Sequence, residues 1–298
     1  MRRPERDRRA TLRRSTGFVL FRYVLVGILV FVGCNHRVAR SPVDLRDRAS
    51  VEGRRPILIA QRGGVVTPEA PECSLAAIRL AERDRYAMVE LDIRKSRDGV
   101  PIVFHDSTLN EACGVDGRIV EMEAEQIQKI RFSGSDQFIV TLDRALRECR
   151  RLALGVMLDV KVRGDAEFFR TVAELVQKHE LESSAMTINS DPALREAFRD
   201  VVMLTVTGEE FRRVESGDSV DLTGTYWFGL PHRVPDEMIR RLRESGAYVV
   251  PAINTFRYSK DDHRNEAEKD IERLLRAGVE GFQIDSVYWE IFAYRRSE

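Results

Sequence analysis

The fold is first indicated by two runs, Ile57-Leu-Ile-Ala-Gln61 and Met88-Val-Glu-Leu-Asp-Ile93. Both runs are short and β-rich, and the segment between them is long enough for a loop and a helix. This alternation predicts a βα unit with parallel strands. Eight such runs occur from residue 57 onward: Ile57–Gln61, Met88–Ile93, Gly155–Lys161, Ala185–Asn189, Val201–Thr207, Tyr226–Leu230, Tyr248–Asn254 and Phe282–Asp285.

Helix signals lie between most of these runs. Asp191-Pro192 and Pro235-Asp236 are typical of helix starts, and Gly246 and Gly278 stand where helices end. About 250 residues are the usual size of one α/β barrel. The sequence therefore predicts an α/β fold, a (β/α)8 TIM barrel.

The run Pro101–His105 is also β-like, but it cannot be a barrel strand. It follows Ile93 closely, and the turn signal Asp98-Gly99 lies between them. A parallel crossover needs about a dozen residues or more. We therefore predict a small β-hairpin insertion after strand two.

Residues 1–34 are basic and then apolar. Eight arginines precede an apolar run from Tyr23 to Gly33. This order predicts a signal peptide, and the run is short for a bilayer span of roughly 20 residues. Phe31-Val-Gly-Cys34 resembles a bacterial lipobox, in which the cysteine is lipidated. An uncleaved membrane anchor and a buried hydrophobic helix are the alternatives.

Three segments result: residues 1–34 as signal peptide or anchor, residues 35–55 as a polar linker, and residues 56–298 as the barrel domain. Their order predicts a protein of the bacterial cell envelope, anchored through Cys34 or periplasmic or extracellular.

With 48 basic and 48 acidic residues, the chain has no basic excess for a nucleic-acid partner. The cysteines at 73, 113 and 149 fit no zinc spacing, and a disulfide between Cys73 and Cys113 stays open.

Carboxylates follow one face of the second and third predicted barrel strands. Glu90 and Asp92 are two residues apart, so both point into the barrel mouth, and Asp159 lies near the end of the next strand. Ionised carboxylates this close repel each other, and a bound divalent cation relieves the repulsion. Oxygen ligands suit Mg²⁺ or Ca²⁺. The sequence predicts a metal site formed by these three residues.

Cations and one histidine are expected at the same end of the barrel. Arg62 and Lys161 lie where a phosphate would need positive charge, and His105 is the natural proton-transfer group. Singly, each has an ordinary explanation as a solvated or structural residue. Together, at the ends of three neighbouring strands, they indicate a site.

Four stretches resemble the glycerophosphodiester phosphodiesterase family, a family of PLC-like phosphodiesterase TIM barrels whose signature reads HRG, PEN, ExD, DG and HD. They are Ile59-Ala-Gln-Arg-Gly-Gly64, Pro71-Glu-Cys-Ser-Leu-Ala-Ala77, Val89-Glu-Leu-Asp-Ile93 and Arg97-Asp-Gly-Val-Pro-Ile-Val-Phe-His-Asp-Ser-Thr-Leu109. Leu158–Lys161 resembles the family's ExK strand. The resemblance implies that Glu90, Asp92 and Asp159 hold one divalent cation, and that Arg62 and Lys161 contact the phosphate. It also implies that His105 transfers a proton.

The chain departs from this pattern at several positions. Gln61 stands where the family has the HRG histidine, one of its two acid/base groups, and a glutamine amide does not exchange protons near pH 7. Asp159 replaces the usual Glu, and Cys73 replaces the usual Asn. Pro251 stands where an aromatic residue is common. The cation site therefore looks more complete than the proton-transfer site.

Three functions remain open from the sequence. The first is metal-dependent hydrolysis of glycerophosphodiesters to glycerol 3-phosphate and an alcohol, slowed by Gln61. The second is a catalytically inactive barrel that binds a phosphodiester or a lipid head group at the cell envelope. The third is a lyase or lipid-cleaving variant. Fold alone does not separate them.

Overall fold

The computed structural model describes residues 41–295. The predicted signal or anchor segment with Cys34, and the first part of the predicted linker, lie outside these residues. The strands are β1 Ile57–Ala60, β2 Met88–Lys95, β3 Pro101–Val103, β4 Val140–Thr141, β5 Gly155–Val160, β6 Ala185–Thr187, β7 Met203–Thr205, β8 Thr225–Gly229, β9 Tyr248–Ile253 and β10 Gly281–Ile284. The helices are α1 Arg48–Glu52, α2 Leu75–Arg83, α3 Asn110–Cys113, α4 Ala124–Ile127, α5 Leu142–Arg151, α6 Ala166–Lys178, α7 Pro192–Phe198, α8 Gly208–Glu215, α9 Asp236–Glu244, α10 His263–Ala277 and α11 Trp289–Arg295.

Eight of the strands form a closed parallel barrel. Their order is β1, β2, β5, β6, β7, β8, β9 and β10, and β10 pairs back with β1. The predicted TIM barrel is confirmed, and every predicted barrel strand ends within about two residues of its predicted end.

The strands bury both faces, in two separate hydrophobic layers. Val89, Leu91 and Ile93 of β2 pack outward against the helices, whereas Met88 points into the barrel. Because side chains alternate along a strand, Glu90 and Asp92 share the inner face with Met88. The apolar filling of the barrel therefore gives way to carboxylates near the C-terminal ends of the strands.

The segment from Ser41 to Arg55 differs from the predicted linker. Val43, Leu45 and Val51 are buried and join the cluster inside the barrel. Asp47 caps the short helix α1 by accepting a hydrogen bond from the backbone N–H of Ala49. The prediction of a free polar linker is thus wrong for this part of the chain, because three apolar side chains among many charged ones pack onto the N-terminal end of the barrel.

The insertion after β2 is larger than a hairpin. As predicted, β3 pairs antiparallel with β2, and β4 then pairs antiparallel with β3. The residues between β3 and β4 form helices α3 and α4 and a small hydrophobic cluster of their own, in which Phe104 stacks on Phe132 at 5.9 Å between ring centroids. This cluster supports the loop that carries His105.

Two further features concern the thiols and the helices. Cys73, Cys113 and Cys149 are free and buried, so no disulfide joins Cys73 to Cys113. Within residues 41–295, no helix has the length and apolar character required to cross a bilayer.

Candidate functional site

Every residue that the sequence analysis singled out for chemistry borders one cavity at the C-terminal mouth of the barrel. The cavity measures about 210 Å³. The seven residues are Gln61, Arg62, Glu90, Asp92, His105, Asp159 and Lys161. Gln61 and Arg62 follow β1, and Glu90 and Asp92 lie on β2. His105 follows β3 in the insertion, Asp159 lies on β5 and Lys161 follows it. Active sites of this fold usually lie at this end of the barrel.

Glu90, Asp92 and Asp159 converge at the floor of this cavity. One carboxylate oxygen from each lies within 4.8 Å of the others. Asp92 and Asp159 are in register on neighbouring parallel strands, and Glu90 and Asp92 are each only 2% exposed. Burial, together with the charge of Asp92, raises the pKa of Glu90 well above its usual range. The three oxygens form an acidic cluster of the kind that a hard divalent cation binds.

The loop after β1 contacts this cluster through its backbone. The N–H of Arg62 donates to Oε2 of Glu90 at 2.7 Å, and the N–H of Gly63 donates to the Glu90 carbonyl at 2.6 Å. Arg62 and Gly63 both have positive φ, 55° and 81°, and Gly64 has φ of 141°. A side chain on Gly64 would come within 2.1 Å of the Ala77 carbonyl oxygen. Glycine is therefore required where this loop packs on α2.

Lys161 lies between two of the carboxylates. Its Nζ is 2.9 Å from Oδ1 of Asp92 and also contacts Oδ2 of Asp159. Burial alone would lower the pKa of Lys161, but Asp92 and Asp159 outweigh burial and raise it. Lys161 is therefore a fixed positive charge beside the acidic cluster. On the other side of Asp159, Asn189 donates to Oδ1 at 3.3 Å.

Arg62 and His105 are joined by Glu72, which the sequence analysis quoted within a motif without giving it a role. Arg62 donates to Oε2 of Glu72 at 2.7 Å, and Oε1 lies 4.0 Å from Nδ1 of His105. Nδ1 of His105 lies 2.8 Å from Oδ1 of Asp106. With the proton on Nδ1, this contact leaves Nε2 available for proton transfer.

Gln61 belongs to a second polar network at the end of β9 and β10. Nδ2 of Asn254 donates to Oε1 of Gln61 at 2.8 Å and to Oδ1 of Asp285 at 3.3 Å. Two predicted strands end at Asn254 and Asp285, but neither residue had a predicted role. Each of the two neighbouring strands ends in a polar residue, and this pattern could have indicated that both residues belong to the site.

One part of the cavity wall is apolar. Ile188, Phe228, Leu230 and Phe256 contribute to it, and sequence reasoning missed all four because apolar residues at strand ends resemble ordinary core. A second cavity of about 590 Å³ borders the same Arg62 and His105 from the side of the insertion. A third cavity, of about 430 Å³, is lined by residues near the N-terminal ends of the strands and includes none of the seven site residues.

The chain matches known proteins over most of its length. The model of the glycerophosphoryl diester phosphodiesterase family matches residues 66–288. Glycerophosphodiester phosphodiesterase 1 of Mus musculus is 27% identical over 250 residues, which are 80% of this chain and 73% of the mouse protein. The Homo sapiens protein of the same name is 31% identical over 233 residues, covering 72% of this chain and 66% of the human one.

Solved structures share the fold. A glycerophosphoryl diester phosphodiesterase from Parabacteroides distasonis superimposes with a TM-score of 0.64 at 22% identity, covering 82% of this chain and 87% of that one. A phosphodiesterase from Oleispira antarctica, solved in complex with the product sn-glycerol-3-phosphate, superimposes with a TM-score of 0.62 at 18% identity. The match covers 83% of this chain and 99% of that one.

Proposed function

Because this chain belongs to the glycerophosphoryl diester phosphodiesterase family and is a phosphodiesterase, we propose that it hydrolyses glycerophosphodiesters with the help of one divalent cation. Water adds to phosphorus, the P–O bond to the alcohol breaks, and glycerol 3-phosphate and the alcohol leave. The observation that carries this proposal is the convergence of three carboxylates, two cations and one histidine on a single cavity.

Glu90, Asp92 and Asp159 fit a cation of the Mg²⁺ or Ca²⁺ type. They offer only oxygen ligands, and their mutual repulsion gives the cluster a reason to bind positive charge. A bound cation would polarise the phosphate oxygens and stabilise the charge that develops on them.

Arg62 and Lys161 would hold the phosphate from two sides. The guanidinium of Arg62 is fixed by Glu72, and the ammonium of Lys161 is fixed by Asp92. Both lie on the cavity, so each can donate to a phosphate oxygen without leaving its carboxylate partner.

His105 would deliver the proton that the departing alcohol needs. Its imidazole is oriented by Asp106, and Arg94 donates to its backbone carbonyl at 2.9 Å. Gln61 would contribute only a hydrogen bond to the phosphate, because its amide does not exchange protons near neutral pH. We expect turnover below that of a site with two acid/base groups, which typically contribute roughly 10²–10⁴-fold each.

The two cavities provide room for both arms of a phosphodiester. They meet at Arg62 and His105, so a phosphate bound there would direct one substituent to the apolar wall and the other toward the insertion. The glycerol 3-phosphate bound to the Oleispira enzyme supports a substrate of this class. A lipid head group carries the same phosphodiester chemistry.

We also propose that the protein is attached to the membrane of the cell envelope through Cys34. The proposal rests on the basic and apolar composition of residues 1–34 and on the lipobox-like Phe31-Val-Gly-Cys34. Mass spectrometry of the membrane fraction should find an acylated Cys34 at the N-terminus. An unmodified, uncleaved N-terminus would contradict it.

Turnover of glycerophosphocholine with added Mg²⁺ or Ca²⁺ tests the catalytic proposal. Release of choline and glycerol 3-phosphate should depend on the cation and stop with a chelator. The Glu90→Ala variant should be inactive under the same conditions, which excludes a contaminating enzyme. Retained binding of inorganic phosphate without release of choline would favour the binding barrel instead.

A further inference from the structure

Asp285 fixes the direction of a hydrogen-bond chain that ends at Gln61. An ionised carboxylate only accepts hydrogen bonds. Oδ2 of Asp285 accepts from the backbone N–H of Thr255 at 2.7 Å and from its hydroxyl at 2.8 Å, while Oδ1 accepts from Nδ2 of Asn254 at 3.3 Å. The amide of Asn254 must therefore turn its nitrogen, not its oxygen, toward Asp285.

The same nitrogen reaches Gln61. Nδ2 of Asn254 donates to Oε1 of Gln61 at 2.8 Å and lies 3.5 Å from Oε1 of Gln283. Asn254 is 3% exposed and Gln283 is 4% exposed, so little water is available to satisfy an inverted arrangement. Gln61 must therefore present its carbonyl oxygen to Asn254.

The amide nitrogen of Gln61 then remains for the cavity. Within residues 41–295, Nε2 of Gln61 has no hydrogen-bond partner in the protein, although Gln61 borders the cavity beside Arg62 and Glu90. We propose that Asp285 and Asn254 are positioning residues that hold Gln61 as a permanent hydrogen-bond donor to the phosphate. This proposal rests on the proposed function of the same cavity.

The direction of this chain decides whether residue 61 attracts or repels an anion. An amide N–H stabilises a phosphate oxygen, whereas an amide carbonyl in the same place repels it. The donor also keeps its polarity at every pH at which the protein is folded. A glutamine can thus take over the binding part of a histidine's role, though not its proton transfer.

The isosteric substitution Asp285→Asn tests the proposal. The backbone N–H of Thr255 would hold the new amide oxygen, so the amide nitrogen would face Asn254. Asn254 would then present its oxygen, and Gln61 would turn its own carbonyl into the cavity. We expect the affinity for inorganic phosphate, measured by calorimetry with Mg²⁺ present, to fall at least tenfold, and kcat for glycerophosphocholine to fall as well.

Two controls separate the effect of the hydrogen-bond direction from the effects of the lost charge and of changes in local structure. In the double variant Asn254→Asp with Asp285→Asn, a carboxylate is present again, but at position 254. Because that carboxylate can only accept hydrogen bonds, Gln61 must still donate to it and turn its carbonyl into the cavity. Phosphate affinity should therefore stay low. Thr255→Val keeps the backbone N–H that fixes Asp285, so it should change phosphate affinity by less than about twofold. Thermal unfolding of each variant reports any general loss of structure.

A third variant tests the coupling between positions 61 and 285. A protonated imidazole donates from both nitrogens, so in measurements below about pH 6 a histidine can donate to the inverted Asn254 and to the phosphate at the same time. The effect of Asp285→Asn should therefore shrink at least threefold in the Gln61→His background, a non-additivity that a merely structural role would not produce.

Recovery of phosphate affinity in the double exchange of residues 254 and 285, or an equal effect of Asp285→Asn in both backgrounds, would overturn the inference. Because phosphate binding is measured without turnover, this outcome is distinct from a failure of the proposed hydrolysis.

Discussion

The backbone N–H of Arg62 lies 2.7 Å from Oε2 of Glu90, so the loop after the first strand directly holds a carboxylate of the second strand. The side chain of the same Arg62 pairs with Glu72 and faces the cavity. One residue in a left-handed conformation thus orients both a proposed cation ligand and a proposed phosphate contact. Gly64 in the same loop and the carboxylate of Glu90 are therefore the first positions to test.

Gly64→Ala should destabilise the protein by about 2–4 kcal/mol, since the new Cβ would lie 2.1 Å from the Ala77 carbonyl oxygen in addition to the positive φ. Gly134→Ala is a matched control, because Gly134 also has positive φ, 71°, but has no atom within 4 Å of the added Cβ. Its cost should be about 1 kcal/mol. Unfolding in denaturant measures both, and equal costs would show that the contact with α2 is unimportant.

Glu90→Ala should abolish binding of the divalent cation. Removing Glu90 takes away one of the three converging carboxylates and the acceptor for the Arg62 N–H. Isothermal calorimetry with Mg²⁺ and Ca²⁺ measures the loss, and Glu111→Ala, which removes an exposed carboxylate outside the cluster, is the control. An unchanged cation affinity in Glu90→Ala would refute the assigned ligands.

Gln61→His should raise turnover, by about 10²-fold if the imidazole restores a full acid/base group. The ring can accept the hydrogen bond of Asn254 at one nitrogen and present an N–H to the cavity from the other, so it fits the existing network. Steady-state kcat measures the gain, with Gln61→Asn as the control that keeps an amide. A flat or lower kcat in Gln61→His would mean that the site has been rebuilt around glutamine.

Glu148→Gln should remove a contribution to stability that depends on pH. Hydrogen bonds from Arg151, and also from Arg79, lower the pKa of Glu148 from 4.5 to about 2. A lowered pKa in the folded state stabilises the protein above the unfolded value of 4.5, and this stabilisation is lost as the pH falls toward 2. Since the side chain is 12% exposed, we expect a difference of about 1–3 kcal/mol at pH 7.

Unfolding free energies of the wild type and Glu148→Gln, measured between pH 7 and pH 2, test this expectation. The two curves should converge as the pH falls. Glu125→Gln serves as the control, because the Glu125–Lys129 pair is exposed and solvent screens it. A difference for Glu148→Gln that stays constant with pH would mean that its charge plays no part.

The barrel and most of its mouth followed from local patterns. Alternating β-rich runs and helix signals gave the strand number, and the two-residue spacing of Glu90 and Asp92 gave their common face. The burial of Val43, Leu45 and Val51 was not predicted, because these three residues stand among charged residues in the sequence. The role of Glu72 was not predicted either, because its contacts with Arg62 and His105 join residues far apart in sequence.

The architecture and the types of functional group at the mouth could be predicted from the amino-acid sequence, because strand periodicity and turn residues act over short distances along the chain. The direction in which the amide of Gln61 faces became visible only in the folded barrel. That direction is imposed by Asn254 and Asp285, which closure of the barrel brings beside β1. The polarity of a hydrogen bond depends on its partners in space, and one-dimensional spacing carries no record of them.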